Sequence, residues 1–283
     1  MVGLDDIREN NVAPAIKGIV SGMMEQVMEN VLVNAPFIPE NHHIAKPLYA
    51  ALVPDEIFKG AHFERRFVTS FGNVWEKLAE VVAREWHGDC QRGKTVTGLI
   101  RQERLLRIQE VLNRLEHPND KTCKTTPDWD TELRYILDGD GELVPVQVVC
   151  DLFVDSRTTQ KRYAFELKGP LPNSDQTKVS KEKMFKLLAM DSATVDEAYY
   201  ALPYNPYGAK EDYAWSFPER WFNMKKDSSV LIGNEFWDLM GGEGTYGVFI
   251  SEINVLGHEY RARIYREFLG IEPPENSLSS RLT

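Results

Sequence analysis

Two acidic residues and a lysine stand out because their spacing could assemble a hydrolytic site. Asp151 lies within one predicted strand, and Glu166 and Lys168 lie at the end of the next. Alternate residues of a strand share a face, so Glu166 and Lys168 point the same way, and a hairpin can bring Asp151 beside them. We therefore expect these three side chains to converge.

Such a cluster has a definite chemistry. Crowded carboxylates repel each other, and each raises the pKa of the other unless a divalent cation neutralises them. Oxygen ligands suit Mg²⁺, which keeps several of its waters for chemistry. Lys168 cannot bind a cation, but it could orient or deprotonate an attacking water or stabilise negative charge in a transition state. These are the groups that phosphodiester hydrolysis needs.

The alternative interpretation is structural, because a Glu-x-Lys tripeptide on a solvated strand is usually an exposed ion pair. Here, however, the acids stand in the apolar runs VQVVCDLFVD (146–155) and YAFELK (163–168). An unpartnered carboxylate buried in such a run costs several kcal/mol. The context therefore favours a partner or a metal, and with it the catalytic interpretation.

Three β-rich runs separated by turn residues are predicted to form the antiparallel strands that hold these side chains. They are ELRYILD (132–138), VPVQVVCDLFVD (144–155) and KRYAFELK (161–168). A charged helix over about 177–189 and a further strand, EAYYALPY (197–204), follow. This order of elements predicts an α/β fold with a mixed central sheet flanked by helices.

Hydrophobic periodicity predicts the elements on either side of this core. Apolar residues at three- and four-residue steps predict helices over about 15–33, 62–86 and 99–115. Residues 34–62 are predicted to be an irregular connection, and 89–97 a break. Towards the C-terminus, TYGVFISEIN (245–254) and EYRARIYREF (259–268) are strand-like.

Composition limits the class of protein. The 283 residues are 42% hydrophobic and 27% charged, which is typical of a folded globular protein and excludes disorder and coiled coil. The net charge of −10, taken alone, argues against nucleic acid, because evenly spread negative charge repels a polyanion. Cys90, Cys123 and Cys150 are too far apart for a zinc motif and odd in number for disulfides. An acidic N-terminus and the lack of a long apolar run complete the prediction of a cytoplasmic protein.

The segment around the three residues resembles the PD-(D/E)XK nuclease superfamily and, within it, the type II restriction endonucleases. The resemblance is carried by CDLFVD (150–155), YAFELKG (163–169) and the helix and strand that follow. It implies a restriction-endonuclease-like core. The chain departs from the family pattern at Cys150, where the family has proline, and this cysteine is expected to pack in the core and not to act as a nucleophile.

The resemblance also implies roles for individual residues. Mg²⁺ would be bound by Asp151, Glu166 and the carbonyl oxygen of Leu167, and Lys168 would be catalytic. Many nucleases of this superfamily add an acid from an upstream helix, for which Glu76 in FGNVWEKLAEVVA is the candidate. A solvated helix glutamate paired with a nearby basic residue is the alternative for Glu76.

A finer resemblance concerns the recognition site. KGPLPNSDQTKVSKEK (168–183) and NEFWDLMGGEGTYG (234–247) resemble segments of restriction enzymes that cleave GGNCC, a palindrome with an unspecified central base. The implied activity is Mg²⁺-dependent, sequence-specific cleavage of double-stranded DNA by a homodimer, with a cognate DNA methyltransferase in the same system. The alternatives are a repair or recombination nuclease on the same core and a non-catalytic DNA-binding module.

The whole chain, 1–283, is then expected to form a single nuclease domain. Its parts would be a helical N-terminal part (1–125), the catalytic core (about 130–205) and a C-terminal part (206–270) that contributes to DNA recognition or dimerisation.

A basic segment is the expected DNA-binding region. Between Arg157 and Lys186, eight basic residues stand against three acidic ones, a local charge of +5. Phosphate attraction acts over about one Debye length, ~8 Å, so a local positive surface can hold DNA on an acidic protein. The residues expected to reach phosphates or base edges are Asn173, Asp175, Gln176, Lys178, Lys181 and Lys183. The arginines of the 99–115 helix are expected to line the same groove.

Other residues compete for the metal. Asp155 shares a strand face with Asp151 but stands at the loop end of its strand, so Asp151 is preferred. The literal Pro-Asp dipeptides at 54–55 and 127–128 lie outside apolar strand runs, which predicts turn or helix-start roles. The pair His42-His43 has no suitably spaced further ligands and is predicted to lie at the surface or in a turn.

Overall fold

The computed structural model describes residues 4–117 and 126–274, and Cys123 lies outside them. The chain divides into two compact units, one formed by Met1–Leu78 with Gly247–Thr283 and the other by Ala79–Tyr246. The first unit consists, in its described part, of helices joined by short connections, and the second contains a five-stranded sheet. Among the described helices, none combines the length and the apolar character needed to span a membrane.

Helices account for much of the described chain. They are α1 (Leu4–Glu29), α2 (Pro39–Ala45), α3 (Pro47–Ala50), α4 (Asp55–His87), α5 (Gln102–Glu116), α6 (Trp129–Leu137), α7 (Ser174–Leu188), α8 (Asn234–Gly241) and α9 (Thr245–Arg263). Short π-helical segments, Asn30–Asn34 and Ile264–Leu269, extend α1 and α9, and 3₁₀ turns lie at Lys210–Asp212 and Pro218–Arg220. The helices predicted over 15–33, 62–86, 99–115 and 177–189 are confirmed, with shifted ends.

The prediction of an irregular connection over 34–62 is wrong in part. Pro39 and Pro47 each begin a short helix, because a proline at the first helical position loses no hydrogen bond and already has a helical φ. Helix α4 also starts earlier than predicted, at Asp55 directly after Pro54. Prolines here start helices as well as interrupt them.

The sheet consists of β1 (Gly88–Arg101), β2 (Leu143–Ser156), β3 (Arg162–Leu167), β4 (Glu197–Leu202) and β5 (Val230–Ile232), in that spatial order. Strands β1, β2 and β3 are antiparallel neighbours, whereas β3, β4 and β5 run parallel to one another. A parallel pair needs a crossover connection, which α7 supplies between β3 and β4. The α/β fold with a mixed, helix-flanked sheet is thereby confirmed.

Side chains alternate between the two faces of the sheet, and each face is covered by helices. On β3, Ala164 belongs to the apolar core that also contains buried residues of α5, α6 and α7. Phe165 points to the opposite face, where its ring lies 5.9 Å from that of Phe236 on α8. Glu166 therefore shares the face of α7.

Strand β1 was not predicted, because residues 89–97 contain glycine and several charged residues. The strand pairs with β2 along its whole length, from Gly88 opposite Ser156 to Arg101 opposite Leu143. Its buried residues, Cys90, Val96 and Ile100, are all at even positions, so one face is apolar while the other is solvated. A strand with so few buried residues has a sequence that resembles that of a loop.

The prediction of a strand over 132–138 is wrong, since this segment forms most of α6. Buried Trp129, Glu132 and Ile136 recur at helical spacing. Asp128 caps the helix, its carboxylate accepting a hydrogen bond from the Thr131 amide at 2.9 Å. The cap and the period outweigh the β propensity of tyrosine and isoleucine.

The two strands predicted over 245–254 and 259–268 are also wrong, because α9 and its π-helical extension occupy both. Phe249, Leu256, Tyr260 and Phe268 are buried, at spacings that fit one helical face. The aromatic and β-branched residues of these segments favour strands. The helical spacing of the buried residues outweighs that preference.

Candidate active site

The candidate site lies where β2 and β3 diverge. Their pairing runs from Asp155 opposite Arg162 to Leu152 opposite Phe165 and then stops. Asp151 is the next residue of β2, and its Oδ2 accepts a hydrogen bond from the amide of Leu167 at 2.9 Å. A carboxylate thus takes the place of a strand carbonyl at the point where the two strands separate.

Lys168 follows β3 directly, and its backbone is held by the neighbouring strand. Its amide donates to the carbonyl of Ala201 at 3.0 Å, which prolongs the β3–β4 ladder by one residue. Its Nζ lies 2.6 Å from Asp151 Oδ2 and 3.4 Å from Glu166 Oε2. The structure therefore brings together the two acids and the lysine that the sequence singled out.

Glu166 is the most deeply placed member of the cluster, with 1% of its surface exposed. Burial raises the pKa of its carboxyl, and the negative charge of Asp151 adds to the rise, while Lys168 and another lysine oppose it. The Ser180 hydroxyl donates to Glu166 Oε2 at 3.2 Å. The Glu166 carboxylate is thus held in place, and its pKa is perturbed. Both properties are expected of a carboxylate that binds a cation.

The other lysine is Lys183, on the face of α7 that covers β3. Its Nζ lies 2.8 Å from Glu166 Oε1, 3.0 Å from Glu166 Oε2 and 3.9 Å from Asp151 Oδ1. Sequence reasoning assigned this lysine to DNA and did not place it in the acidic cluster. The available signal was its position three residues after Ser180, which puts both on one helix face.

The electrostatics of Lys168 favour its charged form. Burial disfavours an ammonium, but Glu166 and Asp151 together outweigh that effect, so the pKa of Lys168 is raised. An ammonium with a raised pKa donates hydrogen bonds and does not accept a proton near neutral pH. With an ammonium held between the two carboxylates, the arrangement suits the stabilisation of developing negative charge.

The donor set fits a small hard cation. The carboxylates of Asp151 and Glu166 converge. In a strand, the N–H and C=O of one residue point to the same side. Because the amide of Leu167 donates to Asp151 on β2, the carbonyl of Leu167 also faces β2. Carboxylate and carbonyl oxygens are ligands that Mg²⁺ accepts, with waters completing its shell. Within residues 4–117 and 126–274, no cluster of three His, Cys, Asp or Glu side chains suggests another metal site.

The competing acids and histidines lie outside this cluster. Asp155 is exposed and stands opposite Arg162 in the sheet. This position agrees with the choice of Asp151 over Asp155 as the metal ligand. Asp128 caps α6, and Asp55 begins α4 while it contacts His43 at 2.8 Å, which confirms helix-start roles for both Pro-Asp dipeptides. His43 is exposed as predicted, whereas His42 is half-buried, and both lie in α2 and not in a turn.

The cysteine beside Asp151 is a packing residue. Cys150 is fully buried, and burial, followed by the charge of Glu166, raises the pKa of its thiol to about 11. Its Sγ donates to the carbonyl of Lys94 at 3.4 Å. A thiol that stays protonated in the core is a poor nucleophile.

Two further predictions concern helices. Glu76 lies on α4, in the unit formed by Met1–Leu78 with Gly247–Thr283, and its participation in catalysis stays a prediction. The α5 arginines contact acidic neighbours: Arg104 binds Asp191 and Arg107 binds Glu103. These arginines contribute to the packing of α5, which lowers the positive charge available for a DNA groove.

The predicted DNA contacts divide into exposed and buried residues. Asn173 caps α7, its Oδ1 accepting from the Gln176 amide at 2.8 Å, and both side chains are exposed, as is Asp175. Lys178 forms an ion pair with Glu116 and lies partly buried. The DNA-binding roles of these residues stay predictions.

Lys181 is placed differently from the surface position that DNA contact requires. Its side chain is 0% exposed, and its Nζ donates to Glu132 and to the carbonyl of Trp221. Because a phosphate cannot reach a lysine enclosed in the core, we correct the assignment of Lys181 to a buried structural ion pair. The available signal was its position three and four residues before the apolar Met184 and Phe185, which puts it on the buried face of α7.

A mixed sheet whose second and third strands present two acids and a lysine, with helices on both faces, has a restriction-endonuclease-like fold. A family model described as type II restriction endonuclease, HinfI, matches residues 12–257. The chain therefore belongs to the HinfI family of type II restriction endonucleases, which are site-specific DNA endonucleases.

Individual relatives agree with this assignment. The type II restriction enzyme HgiCII of Herpetosiphon aurantiacus is 26% identical over 228 residues, which cover 79% of this chain and 82% of that enzyme. The type II restriction enzyme HgiBI of the same organism is 26% identical over 230 residues, or 79% of this chain and 81% of that enzyme.

Proposed function

We propose that the chain is a Mg²⁺-dependent endonuclease that cuts both strands of a short palindrome at the site formed by Asp151, Glu166 and Lys168. One observation carries this proposal: the two carboxylates and the ammonium meet at the diverging ends of β2 and β3. Family membership supplies the substrate class, DNA, and the contacts among Asp151, Glu166 and Lys168 support the choice of residues.

Each group has a distinct task in the proposed reaction. Asp151, Glu166 and the Leu167 carbonyl would hold Mg²⁺, which when bound neutralises phosphate charge and lowers the pKa of a coordinated water. Lys168 donates hydrogen bonds towards the negative charge that grows on the phosphoryl oxygens during attack. Lys183 fixes the Glu166 carboxylate and adds a second positive charge to the cluster.

We propose GGNCC as the first recognition sequence to test, on the resemblance of segments 168–183 and 234–247. The first segment includes the exposed start of α7, where Asn173, Asp175 and Gln176 lie. In the major groove a lysine can read guanine and an aspartate can accept from the amino group of cytosine. Asp175 and Lys178 are therefore the proposed readers of the G·C pairs.

A palindrome is two-fold symmetric, so we propose that two copies of the chain act together as a homodimer. Residues 206–270 are the part proposed to contribute to DNA recognition or to the dimer. An enzyme that cuts both strands also endangers the DNA of its own cell. A cognate methyltransferase that protects the same sequence is the proposed partner.

Digestion of phage DNA of known sequence tests the proposal. With Mg²⁺ we expect discrete fragments whose ends map to one short palindrome. Lys168→Ala should lower the cleavage rate by about 10²–10³-fold while DNA binding is retained. Lys186→Ala is the matched control, because Lys186 pairs with Glu182 on α7 and should leave the rate unchanged.

Three results would contradict the proposal. Undiminished cleavage by Lys168→Ala would remove the lysine from the mechanism. Cuts that follow DNA ends or branches, and not a sequence, would indicate a repair or recombination nuclease. Salt-sensitive DNA binding without cleavage at any Mg²⁺ concentration would indicate a binding module.

A further inference from the structure

The helical unit contains a cavity of about 400 Å³ whose lining includes none of the proposed catalytic residues. It lies between α2, the connection before it and α4, and all of its lining residues belong to one unit, within Met1–Leu78. This volume falls within the range of small-molecule pockets, roughly 300–1,000 Å³. The chemistry of its wall indicates what it could bind.

The wall carries positive charge without compensation. Lys46, Arg65 and Arg66 line the cavity, and no acidic residue is among the described residues that do so. Within the described part of the chain, neither Lys46 nor Arg65 forms an ion pair. In a protein of net charge −10, such a concentration of cations favours an anionic ligand.

One of the cations is held in position by a histidine. Arg66 Nη1 donates to His62 Nδ1 at 3.0 Å, so His62 carries its proton on Nε2, which donates to the carbonyl of Ala35 at 2.8 Å. Burial lowers the pKa of His62, and the charge of Arg66 lowers it further. A neutral His62 that accepts from Arg66 keeps this guanidinium at the wall.

The remainder of the wall is aromatic. The His42 ring lies 4.1 Å from that of Phe58 and 5.6 Å from that of Phe37, measured between centroids. Nε2 of His42 is shielded from solvent and has no hydrogen-bond partner among the described residues. Because this nitrogen is shielded even from water, it is the aromatic ring of His42 and not its Nε2 that lines the cavity.

We propose that this cavity binds a nucleotide, with the phosphate at Lys46 and Arg65 and the base against Phe37, His42 and Phe58. Cations recognise the phosphate, and aromatic faces accept the plane of any base without sequence preference. Two sources share this chemistry, a free deoxynucleotide and a nucleotide unit of a DNA strand. The cavity would then be a second nucleotide site, separate in sequence from the nuclease residues.

Titration of the full-length protein without divalent metal tests this proposal. The probes are inorganic phosphate, deoxycytidine monophosphate and a short single-stranded oligonucleotide, and the readout is the ring signals of His42 in NMR, assigned with His42→Gln. We expect the mononucleotide to shift these signals and to bind at least tenfold more tightly than phosphate. Competition between the mononucleotide and the oligonucleotide then identifies the source.

Two variants make the result specific. Arg65→Gln should weaken nucleotide binding at least tenfold, whereas Lys59→Gln should not, because Lys59 is on the same helix but contacts the ring of Phe268 and does not line the cavity. No shift of the His42 signals at millimolar nucleotide, or equal binding by Arg65→Gln and the unaltered protein, would overturn the proposal. Phosphate binding as tight as nucleotide binding would also overturn it, because the rings would then have no role.

Discussion

Lys183 Nζ lies 2.8 Å from Glu166 Oε1, so a lysine of α7 is in direct contact with the buried acid of β3. Two ammonium groups, those of Lys168 and Lys183, therefore surround two carboxylates. The two lysines reach the cluster from different elements, one from the end of a strand and one from a helix. This relationship gives Lys183 a second candidate role, in the acidic cluster, beside the DNA contact that the sequence predicted.

Replacement of Lys183 distinguishes a role in the acidic cluster from a DNA contact. Lys183→Met should lower kcat by about 10- to 100-fold with little change in the Kd for DNA, because a charge that acts on the reaction is lost. Lys183→Arg should restore part of the activity. Cleavage rates and DNA binding are measured side by side, and a raised Kd with unchanged kcat would instead indicate a phosphate contact.

The buried pair of Lys181 and Glu132 should be tested as a pair. Lys181→Met alone should lower the free energy of unfolding by about 3–5 kcal/mol, because it leaves the buried carboxyl of Glu132 without its partner. The double variant Lys181→Met with Glu132→Leu should recover most of this loss. Aromatic rings already surround the Lys181 ammonium, that of Phe222 at 4.9 Å, so an apolar replacement is well accommodated.

Urea unfolding of the two single variants and the double variant completes this cycle. DNA affinity, measured on the same samples, should be unchanged wherever the protein is folded. A selective loss of DNA binding in Lys181→Met at full stability would contradict the buried-pair assignment.

Asp227 should give the fold a defined dependence on pH. Burial raises its pKa to about 6, although the Asn223 amide, which donates to the carboxylate at 2.8 Å, and Lys181 oppose the rise. A raised pKa means that the folded state binds more protons than the unfolded state between about pH 4 and 6. Stability from this group is therefore present below pH 4 and is lost as the pH rises to 6, by roughly 3 kcal/mol at most.

The measurement is the difference in unfolding free energy between Asp227→Asn and the unaltered protein at several pH values. Asparagine keeps the acceptor for Asn223 and cannot ionise. The relative stability of the variant should therefore increase from pH 4 to 6 and stay constant above. A difference that does not change with pH would show that Asp227 does not titrate in this range.

Replacement of Asp128, which caps α6, tests whether the Pro-Asp dipeptide at 127–128 has a structural or a catalytic role. Asp128→Ala should cost about 1 kcal/mol of stability, because the Thr131 amide loses its acceptor. The cleavage rate should be unchanged, since Asp128 lies outside the proposed metal site. Asp130→Ala, in the first turn but not at the cap, is the control for stability. A large loss of cleavage in Asp128→Ala would return this residue to the list of metal ligands.

The strands that carry the site could be predicted, whereas several supporting elements could not. Strands β2 and β3 are short apolar runs bounded by turn residues, a pattern with few alternatives. Strand β1 has only three of its 14 residues buried, and its pairing with β2 depends on contacts that are distant in sequence. The segment of α6 has β-favouring residues such as Tyr135 and Ile136, but its Asp128 cap and its helical spacing of buried residues specify a helix.

The site itself was predictable to the extent that strand geometry determines it. Glu166 and Lys168 share a face in any strand, and a hairpin suffices to bring Asp151 near. Lys183 and Lys181 are two residues apart on one helix, yet one contacts the acidic cluster and the other lies in the core. The rotation of α7 over the sheet separates their roles, and the helical spacing of Lys181 from the apolar Met184 and Phe185 is the local signal of that rotation.

The hydrogen bond from the Leu167 amide to Asp151 bears on how a cleavage-deficient form should be prepared for trapping the enzyme on uncut DNA. Asp151→Ala would leave that amide without its acceptor, at a cost of about 1–3 kcal/mol, so that lost activity and lost folding would be confounded. Asp151→Asn keeps an oxygen for the amide while it removes the charge. The asparagine form is therefore the better choice for capturing a stable enzyme–DNA complex.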